Sequence, residues 1–309
     1  MASIVVVGSI NMDVVSRVHA LPLPGQTVHA IATAYPPGGK GANQAVAAAR
    51  AGADVTMLGA VGDDAFATTL HASLRDSGVR VDHLLVRSTT SGLAFITVDD
   101  EGQNTIALSQ GANGQLLPTD IAAAHDLLAN AHTVLLQNEI PWETTRLAMT
   151  IAHDSGVRVI FNPAPAFDLP RDAYPLVDTL ILNEVEASVL SGMPVAATAA
   201  AAEIAARQLI ADGARAVIIT LGKHGAIYLD SRNPPIVLPA FPVTPLDTTG
   251  AGDIFIGAYA AAALTQPAYD ALRFATAAAA LSVTHHGAQS SAPTRDEIAV
   301  FLRAHAHTR

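Results

Sequence analysis

Short apolar runs alternate with Ala-rich stretches along most of the chain. The segments IVVV (4–7), VLLQ (134–137) and AVIIT (216–220) are almost continuously apolar and rich in β-branched residues or Leu. Such runs are typical of strands buried on both faces of a parallel sheet, and Ala-rich segments favour helices. The alternation predicts an α/β fold in which helices cover both faces of a mostly parallel central sheet.

Two segments break this rhythm. Residues 14–33 hold two prolines and a glycine between short extended pieces, and residues 91–108 alternate apolar and polar positions around the turn DDEG (99–102). Alternation around such a turn indicates an antiparallel hairpin. We predict one domain over residues 1–309, in which strands from about 14–33 and 91–108 form a small separate sheet that serves as a lid.

Composition narrows the function. The net charge is −10 and no cluster of Lys and Arg occurs, so neither nucleic acid nor an anionic membrane is an expected partner. The absence of cysteine excludes disulfides, thiolate catalysis and Cys-based zinc sites, and the histidines form no HExxH pattern. No basic leader is present, and polar residues interrupt the most apolar helical stretch, 258–283. We therefore expect a cytoplasmic protein.

The segment DTTGAGD (247–253) places two glycines around Ala251, immediately before an Ala-rich helical pattern. A glycine-rich helix start presents free backbone N–H groups and the positive end of the helix dipole, which together bind anions. Asp253 would lie in the first helical turn, beside this anion site. It is either a candidate catalytic base or simply a favourable negative charge at a helix start.

Two further segments could bind a ligand. GGKGANQ (38–44) is a glycine-rich helix start that fits neither the P-loop spacing nor GxGxxG. In GSINMD (8–13), Asn11 and Asp13 are two positions apart, so in extended chain their side chains point to the same side. An amide and a carboxylate so placed can bind neighbouring sugar hydroxyls, although a polar turn at a strand end is the simpler alternative.

Other polar residues follow predicted strands. Glu139 ends one strand, Asn183 and Glu186 follow the strand TLILN, and the turn TLGKHG (220–225) follows another. Open α/β sheets bind ligands at the carboxyl ends of their parallel strands. The shared location of these residues therefore predicts a binding site at that edge of the sheet.

Together, GSINMD, GGKGANQAVAAARAG, DTTGAGD and THHGAQSS resemble the PfkB family of carbohydrate kinases, in the family's order and across essentially the whole chain. The resemblance implies a ribokinase-like three-layer sandwich with a small β-sheet lid, and a homodimer formed through the lids. It implies ATP-dependent phosphorylation of a small sugar, D-ribose at O5, with Asp253 as general base. Gly250, Ala251 and Gly252 would form the anion hole.

The same resemblance assigns the remaining site residues. The expected sugar-binding residues are Asn11, Asp13, Gly39, Lys40, Gly41, Asn43, Glu139 and Asp253. ATP would contact Asn183, Thr220, Gly222, Gly225, Gly252 and Thr276. Asn183 and Glu186 would organise Mg²⁺ through water. An activating monovalent cation, usually K⁺, would be held by Asp247, Thr249, Ser282, His285, Gly287 and Ser291.

Several alternatives stay open at this level. The substrate could be deoxyribose, fructose or a nucleoside such as adenosine, and Met12 between the two sugar-binding residues is bulkier than the Ala common in the family. Thr276 stands where the family can carry His near the adenine. A non-catalytic sugar-binding protein is less expected, because binding alone does not need a base at position 253. A dehydrogenase would need the GxGxxG fingerprint.

Overall fold

The computed structural model describes residues 3–305, and within that range the chain forms fourteen strands in two sheets. The strands are β1 (Ser3–Val7), β2 (Asn11–Arg17), β3 (Ala32–Ala34), β4 (Pro37–Gly38), β5 (Asp54–Gly62), β6 (Arg80–Arg87), β7 (Gly92–Val98), β8 (Asn104–Ser109), β9 (Thr133–Gln137), β10 (Arg158–Asn162), β11 (Thr179–Asn183), β12 (Ala216–Thr220), β13 (Ala226–Asp230) and β14 (Ile236–Leu238). The domain was predicted over residues 1–309, of which 1–2 and 306–309 lie outside the described residues.

The α-helices follow most strands and are rich in Ala. They are α1 (Lys40–Arg50), α2 (Ala67–Asp76), α3 (Pro118–Ala123), α4 (His125–Ala129), α5 (Trp142–Asp154), α6 (Glu184–Ser191), α7 (Ala199–Ala211), α8 (Ala251–Ala262), α9 (Ala268–Ser282) and α10 (Arg295–Ala304). Short 3₁₀ turns occupy Gly111–Gln115, Arg171–Leu176 and Gly222–His224. Between Ser3 and His305, none of the helices has the length and apolar character needed to span a bilayer.

Nine of the described strands form the central sheet, in the order β14-β13-β12-β11-β10-β9-β1-β5-β6. All neighbours are parallel except at one end, where β13 lies antiparallel to both β12 and β14. Successive residues of a strand point to opposite faces, so Val6 packs with α1, α8 and α9 while Val7 packs with α5 and α7. The predicted α/β sandwich with a mostly parallel sheet is confirmed.

A second sheet, which we call the small sheet, has the order β3-β2-β7-β8, with β4 paired to β2. Within it β2 and β7 are parallel, while β7 and β8 form the hairpin predicted around the DDEG turn. Asn11 and Asp13, read from the sequence as a strand-end pair, begin β2 itself. The small sheet therefore starts where β1 of the central sheet ends, and this places its first residues at the edge where the parallel strands finish.

Candidate active site

Helix α8 begins at this edge. Gly250, its N-cap, has φ 72°, and a Cβ there would lie 2.7 Å from the Cβ of Ala288. Both the left-handed backbone and the close packing therefore require glycine. The helix start points its first N–H groups toward a cavity that Gly250, Ala251 and Gly252 line. Asp253, in the first turn, lines the same cavity and is only 7% exposed.

Two side chains from the start of α1 hold the Asp253 carboxylate. Asn43 Nδ2 donates to Oδ2 at 3.0 Å, and Gln44 Nε2 donates to Oδ1 at 2.9 Å. Each carboxylate oxygen thus has one protein donor and keeps further acceptor capacity. The Oδ1 of Asn43 is buried and has no hydrogen-bond partner within residues 3–305. An unpaired buried acceptor beside a carboxylate is suited to a ligand that brings a hydroxyl group.

The cavity measures about 240 Å³. Its lining consists of Lys40, Asn162, Ile181, Leu182, Asn183, Glu186, Thr220, Thr248, Gly250, Ala251, Gly252, Asp253 and Ile256. The Asp253 carboxylate raises the pKa of the Lys40 ammonium, with Glu139 and Glu186 adding to the effect against the opposing effect of burial. Lys40 is therefore a firmly held cation next to the helix start, and the two together favour a polyanionic ligand such as a phosphate chain.

On the other side of Lys40 lies a group of acceptors. Glu139 Oε2 accepts from Ser9 Oγ at 2.5 Å and from the Lys40 backbone N–H at 3.1 Å. Asn113 Nδ2 donates to Asn11 Oδ1 at 2.7 Å and so fixes that amide. Burial, together with the charges of Glu139 and Asp253, raises the pKa of Asp13 to about 7. A neutral molecule with several hydroxyl donors suits this set, because it satisfies acceptors without adding negative charge.

Asn183 and Glu186 form a reciprocal cap at the start of α6. The Glu186 N–H donates to Asn183 Oδ1 at 2.8 Å, and Glu186 Oε2 accepts from the Asn183 N–H at 2.9 Å. Burial raises the pKa of Glu186, although the Asn183 N–H and Lys40 act in the opposite direction. A carboxylate facing the cavity with its position fixed by a cap fits the requirement for holding hydrated Mg²⁺, which usually keeps several of its waters.

Asp247 connects two loops behind α8. Its Oδ1 accepts from the Thr249 N–H at 2.9 Å, and its Oδ2 accepts from the Gly287 N–H at 2.8 Å. Burial alone would raise the pKa of Asp247, but these bonds outweigh it and hold the pKa below its ordinary value. His286 Nδ1 lies 3.8 Å from Asp247 Oδ2, whereas the predicted His285 turns to the Leu281 carbonyl. The hydroxyl groups of Ser282 and Ser291 donate to backbone carbonyls of preceding residues.

This loop pair offers carbonyls, hydroxyls and a single carboxylate. In the part of the chain between Ser3 and His305, no group of three or more His, Asp or Glu side chains has the arrangement of a metal site. A large cation of low charge is held mainly by carbonyl oxygens, as in potassium-selective pores, so the donor set fits K⁺. Of the predicted cation residues, Asp247 is in direct contact with Thr249 and with Gly287.

The remaining predicted residues lie at varying distances from the cavity. Thr220 lines it and donates to the Leu182 carbonyl, and Gly222 and Gly225 form the turn that follows β12. Gly39 caps α1, and Gly41 lies one residue after Lys40. Thr276 is buried in α9, where its hydroxyl donates to the Leu272 carbonyl at 2.8 Å, and it does not line the cavity.

Sequence reasoning missed five polar residues of the site: Ser9, Gln44, Asn113, Asn162 and Thr248. Asn162 ends a buried strand, β10, and the rule that identified Glu139 and Asn183 would have identified it. Gln44 could also have been identified, because it directly follows Asn43 in the motif GGKGANQ. Asn113 carried none, because it meets Asn11 across 102 positions of sequence.

A larger cleft, of about 740 Å³, lies at the opposite edge of the central sheet, where β10, β11 and β12 begin. Its main charged groups are already paired: Arg215 Nη1 donates to Asp178 Oδ1 at 2.6 Å, and Arg158 Nη1 donates to the Ala263 carbonyl at 2.7 Å. The smaller cavity is lined by Lys40, Asp253 and the start of α8, and Asn43, with its unpaired Oδ1, bonds Asp253 beside it, so it is the candidate active site.

Comparison with known proteins agrees with this geometry. The sequence pattern of the pfkB family of carbohydrate kinases matches residues 1–295. A ribokinase of Schizosaccharomyces pombe is 40% identical over 308 residues, covering 96% of this chain and 97% of its own. A deoxyribokinase of Salmonella typhi is 37% identical over 302 residues, covering 97% and 98%. The structure of Arabidopsis thaliana ribokinase complexed with ribose and ATP superposes with a TM-score of 0.90 at 33% identity, covering 98% and 99%.

Proposed function

Because the chain belongs to the pfkB family of carbohydrate kinases, we propose that it is a ribokinase that transfers the γ-phosphoryl group of ATP to O5 of D-ribose. The chain is an ATP-dependent sugar kinase, and its near-full-length similarity to ribokinases supports the choice of sugar. The observation that carries the proposal is the position of Asp253. It lies in the first turn of α8, whose free N–H groups would bind the phosphoryl group, and its carboxylate accepts from Asn43, a proposed sugar contact.

Asp253 is the proposed general base. As O5 of the sugar forms a bond to the γ-phosphorus, the bond from that phosphorus to the β,γ-bridging oxygen breaks, and ADP leaves. The proton of the 5-hydroxyl passes to the Asp253 carboxylate. Asn43 Nδ2 donates to Oδ2 of this carboxylate and holds it beside the proposed sugar contacts.

The start of α8 and Lys40 are the proposed binding groups for the transferred phosphoryl. Backbone N–H groups at Gly250–Gly252 would donate to its oxygens, and the Lys40 ammonium would neutralise charge that spreads over them. Phosphoryl transfer requires mainly positioning and charge stabilisation. Asn183, Thr220, Gly222, Gly225 and Thr276 are the proposed contacts for the rest of ATP. Of these residues, Thr276 already donates its hydroxyl proton within α9, to the Leu272 carbonyl.

Two ions complete the proposal. Asn183 and Glu186 would hold Mg²⁺ through water, and the ion would screen the phosphate charge when bound. Asp247, Thr249, Ser282, His285, Gly287 and Ser291 would hold K⁺. Asp247 bonds to both loops, and the Gly287 loop packs against Gly250, so an ion there would stiffen the turn that starts α8.

The proposed sugar contacts are Asn11, Asp13, Gly39, Lys40, Gly41, Asn43 and Glu139. The Asn43 Oδ1 supports these contacts, because it is buried without a donor among the described residues and a sugar hydroxyl would supply one. Deoxyribose is the second candidate substrate, because the Salmonella typhi deoxyribokinase is nearly as similar as the ribokinases. The two sugars differ by one hydroxyl. A site that binds this hydroxyl with buried polar groups would reject the sugar that lacks it.

We also propose that the small sheet is a lid and that two lids form a homodimer. Residues paired across neighbouring strands point to the same face of a sheet, and so do residues two positions apart on one strand. Asp13 pairs with Ala94, and Ala94 pairs with Leu108. Ile96, two positions after Ala94, pairs with Ile106, so all five residues share one face. Ile106 is 56% exposed and Leu108 49%. Exposed apolar side chains on the face that carries Asp13 would be covered by the second lid. We propose a cytoplasmic location because the reaction needs ATP.

The deciding experiment measures ADP release from Mg-ATP with ribose, deoxyribose, fructose and adenosine as acceptors. We expect ribose to give the highest kcat/KM, and mass spectrometry or NMR should locate the phosphate on O5. A higher kcat/KM for deoxyribose would replace ribose with the second candidate. Absence of phosphorylation of every sugar, with ribose binding retained, would favour the non-catalytic binding protein.

A further inference from the structure

Gln44 is the polar residue nearest the chemistry that the proposed function leaves without a role. It is fully buried in α1 and forms three hydrogen bonds, of which one reaches Asp253 Oδ1. Burying a primary amide is costly unless its donors and acceptor are satisfied. Gln44 meets this condition, and its partners are polar side chains at the ends of two central strands, β9 and β10.

These partners determine which way the Gln44 amide faces. Asn162 Nδ2 donates to the Ile181 backbone carbonyl at 2.9 Å, and a carbonyl can only accept. The Oδ1 of Asn162 is therefore left to face Gln44, at 3.2 Å, so Gln44 must present its NH₂ group there. At its other end Gln44 Oε1 accepts from Gln137 Nε2 at 2.7 Å, which agrees with the orientation that Asn162 sets.

The second N–H of the same NH₂ group points at Asp253. A backbone carbonyl of β11 thus ensures, through Asn162, that Gln44 offers Asp253 a donor and never an acceptor. A donor stabilises the ionised carboxylate, the form that can accept the sugar proton. The contact also restrains rotation of the carboxylate, because Asn43 and Gln44 each bond one oxygen.

Helices α1 and α8 must lie close together for the Gln44 side chain to reach Asp253. Gly257 makes this possible, since a Cβ on it would lie 2.4 Å from the Gln44 carbonyl oxygen and 2.6 Å from the Ala47 Cβ. The backbone of α8 therefore lies directly against α1 one turn after Asp253. The position of Gln44 is set by packing against Gly257 of α8 and by hydrogen bonds to Gln137 of β9 and Asn162 of β10.

We propose that Gln44 is a positioning residue, which holds the Asp253 carboxylate correctly oriented to remove the proton of the acceptor hydroxyl. The inference rests on the proposed function for its kinetic consequence, but the orientation of Asp253 can be observed independently. Gln44 touches neither the sugar nor ATP in this scheme, so its loss should affect turnover and leave ground-state binding unchanged.

The test uses Gln44→Met, which fills a similar volume and donates no hydrogen bond. We expect kcat to fall about 10- to 100-fold, the scale of losing one hydrogen bond to a charged group. The KM values for sugar and ATP should stay within about threefold of wild type. A crystal structure of the variant should show the Asp253 carboxylate rotated away from its wild-type orientation.

Two further variants separate positioning from packing. Thr144→Val, in α5, removes another fully buried hydrogen bond, from the Thr144 hydroxyl to the Leu116 carbonyl, and should leave kcat unchanged at a similar loss of Tm. Gln44→Glu keeps the shape of Gln44 but places a second carboxyl beside Asp253. A carboxylate at position 44 cannot donate to Asp253 Oδ1, so positioning predicts a loss of kcat at least as large as for Gln44→Met, together with a rotated Asp253 carboxylate.

The proposal would be overturned if the Asp253 carboxylate of Gln44→Met kept its wild-type orientation, or if the kcat of this variant stayed within threefold of wild type. If Gln44→Met does not fold, Gln44→Glu supplies both readouts. If the wild-type protein phosphorylates none of the sugars, the proposed function fails, and the orientation of Asp253 in the variant structures alone decides the role of Gln44.

Discussion

The two sheets of this protein contribute to one site but are built differently. Strands such as β10 and β12 of the central sheet are buried along nearly their whole length, whereas every residue of β8 in the small sheet is exposed. Segments with few buried contacts open more easily than core strands. Asp253 and Lys40 belong to helices packed on the central sheet, while Asn11 and Asp13 belong to the small sheet. This division suggests that turnover depends on the rigid layer and sugar affinity on the exposed one.

The largest expected effect concerns the rigid layer. Asp253→Asn keeps the shape of the side chain but cannot accept the proton, so kcat should fall by roughly 10²–10⁴, the scale of lost acid–base assistance. Ribose binding, measured by calorimetry, should stay largely intact. Near-normal turnover would show that Asp253 is only a helix-start charge.

The matching change in the small sheet is Asp13→Asn. Sugar hydroxyls would lose a carboxyl acceptor, so the KM for ribose should rise about 10- to 100-fold, with a smaller change in kcat. Asp100→Asn, in the exposed turn of the same sheet, is the control and should leave KM unchanged. If Asp13→Asn lowered kcat as strongly as Asp253→Asn, the division of labour between the sheets would be wrong.

The third test removes the proposed cover of the small sheet. Ile106→Lys places a charge among the exposed apolar side chains on the Asp13 face, and we expect a monomer by analytical ultracentrifugation where the wild type is a dimer. Thr105→Lys is matched to it, because the neighbouring position of β8 points to the opposite face. A dimer that survives Ile106→Lys but not Thr105→Lys would assign the interface to the other face.

A smaller effect is expected from the cation loop behind α8. The rate should be several-fold higher in KCl than in NaCl at equal ionic strength, because a set of carbonyl oxygens selects ions by size and field strength. Asp247→Ala should abolish the difference, since Asp247 bonds both loops. Equal rates in the two salts with the wild-type protein would remove the K⁺ assignment.

The smallest expected effect is on stability. The pKa of Asp13 is about 7 in the folded protein, and its ordinary value is 3.8. Between these values the folded state binds a proton that the unfolded state has lost, so the wild-type protein loses stability as pH rises from about 4 to about 7. The Asp13→Asn protein does not lose stability in this way, because an amide does not titrate. Its Tm should therefore exceed that of wild type most above pH 7, on the order of a few degrees.

Thermal unfolding at pH 5 and pH 8 measures this difference, and Asp82→Asn, an exposed carboxylate of β6, is the control. A Tm advantage of Asp13→Asn that is larger at pH 5 than at pH 8 would contradict the raised pKa.

The sequence predicted the fold class well because long apolar runs and Ala-rich helices dominate it. It also pointed to both glycine-rich helix starts, which the structure brings together as Asn43 and Asp253. Strands β6, β13 and β14 were not singled out. The first has a mixed pattern of exposed and half-buried residues, and the other two are the antiparallel strands at one end of the central sheet.

The finer contacts of the site could not be predicted in the same way. Which oxygen of Asp253 meets Gln44 depends on how closely α1 and α8 approach, and this is set by packing at Gly257. His286, not His285, lies near Asp247, because the direction of adjacent side chains in a loop depends on its exact course. Motifs thus identified segments, and tertiary packing decided which side chain in each segment makes the contact.

The contact between α1 and α8 also has a consequence for how the protein is made. Asn43 and Asp253 are separated by 210 positions, and Gln44 and Asp253 by 209. During synthesis, β1, α1 and β5 leave the ribosome long before α8 exists, so the polar start of α1 has no carboxylate to bind. Contacts this distant in sequence are slow to form. The nascent chain can therefore assemble most of its central sheet before it has a proton acceptor, and catalytic competence arrives only with the last quarter of the molecule.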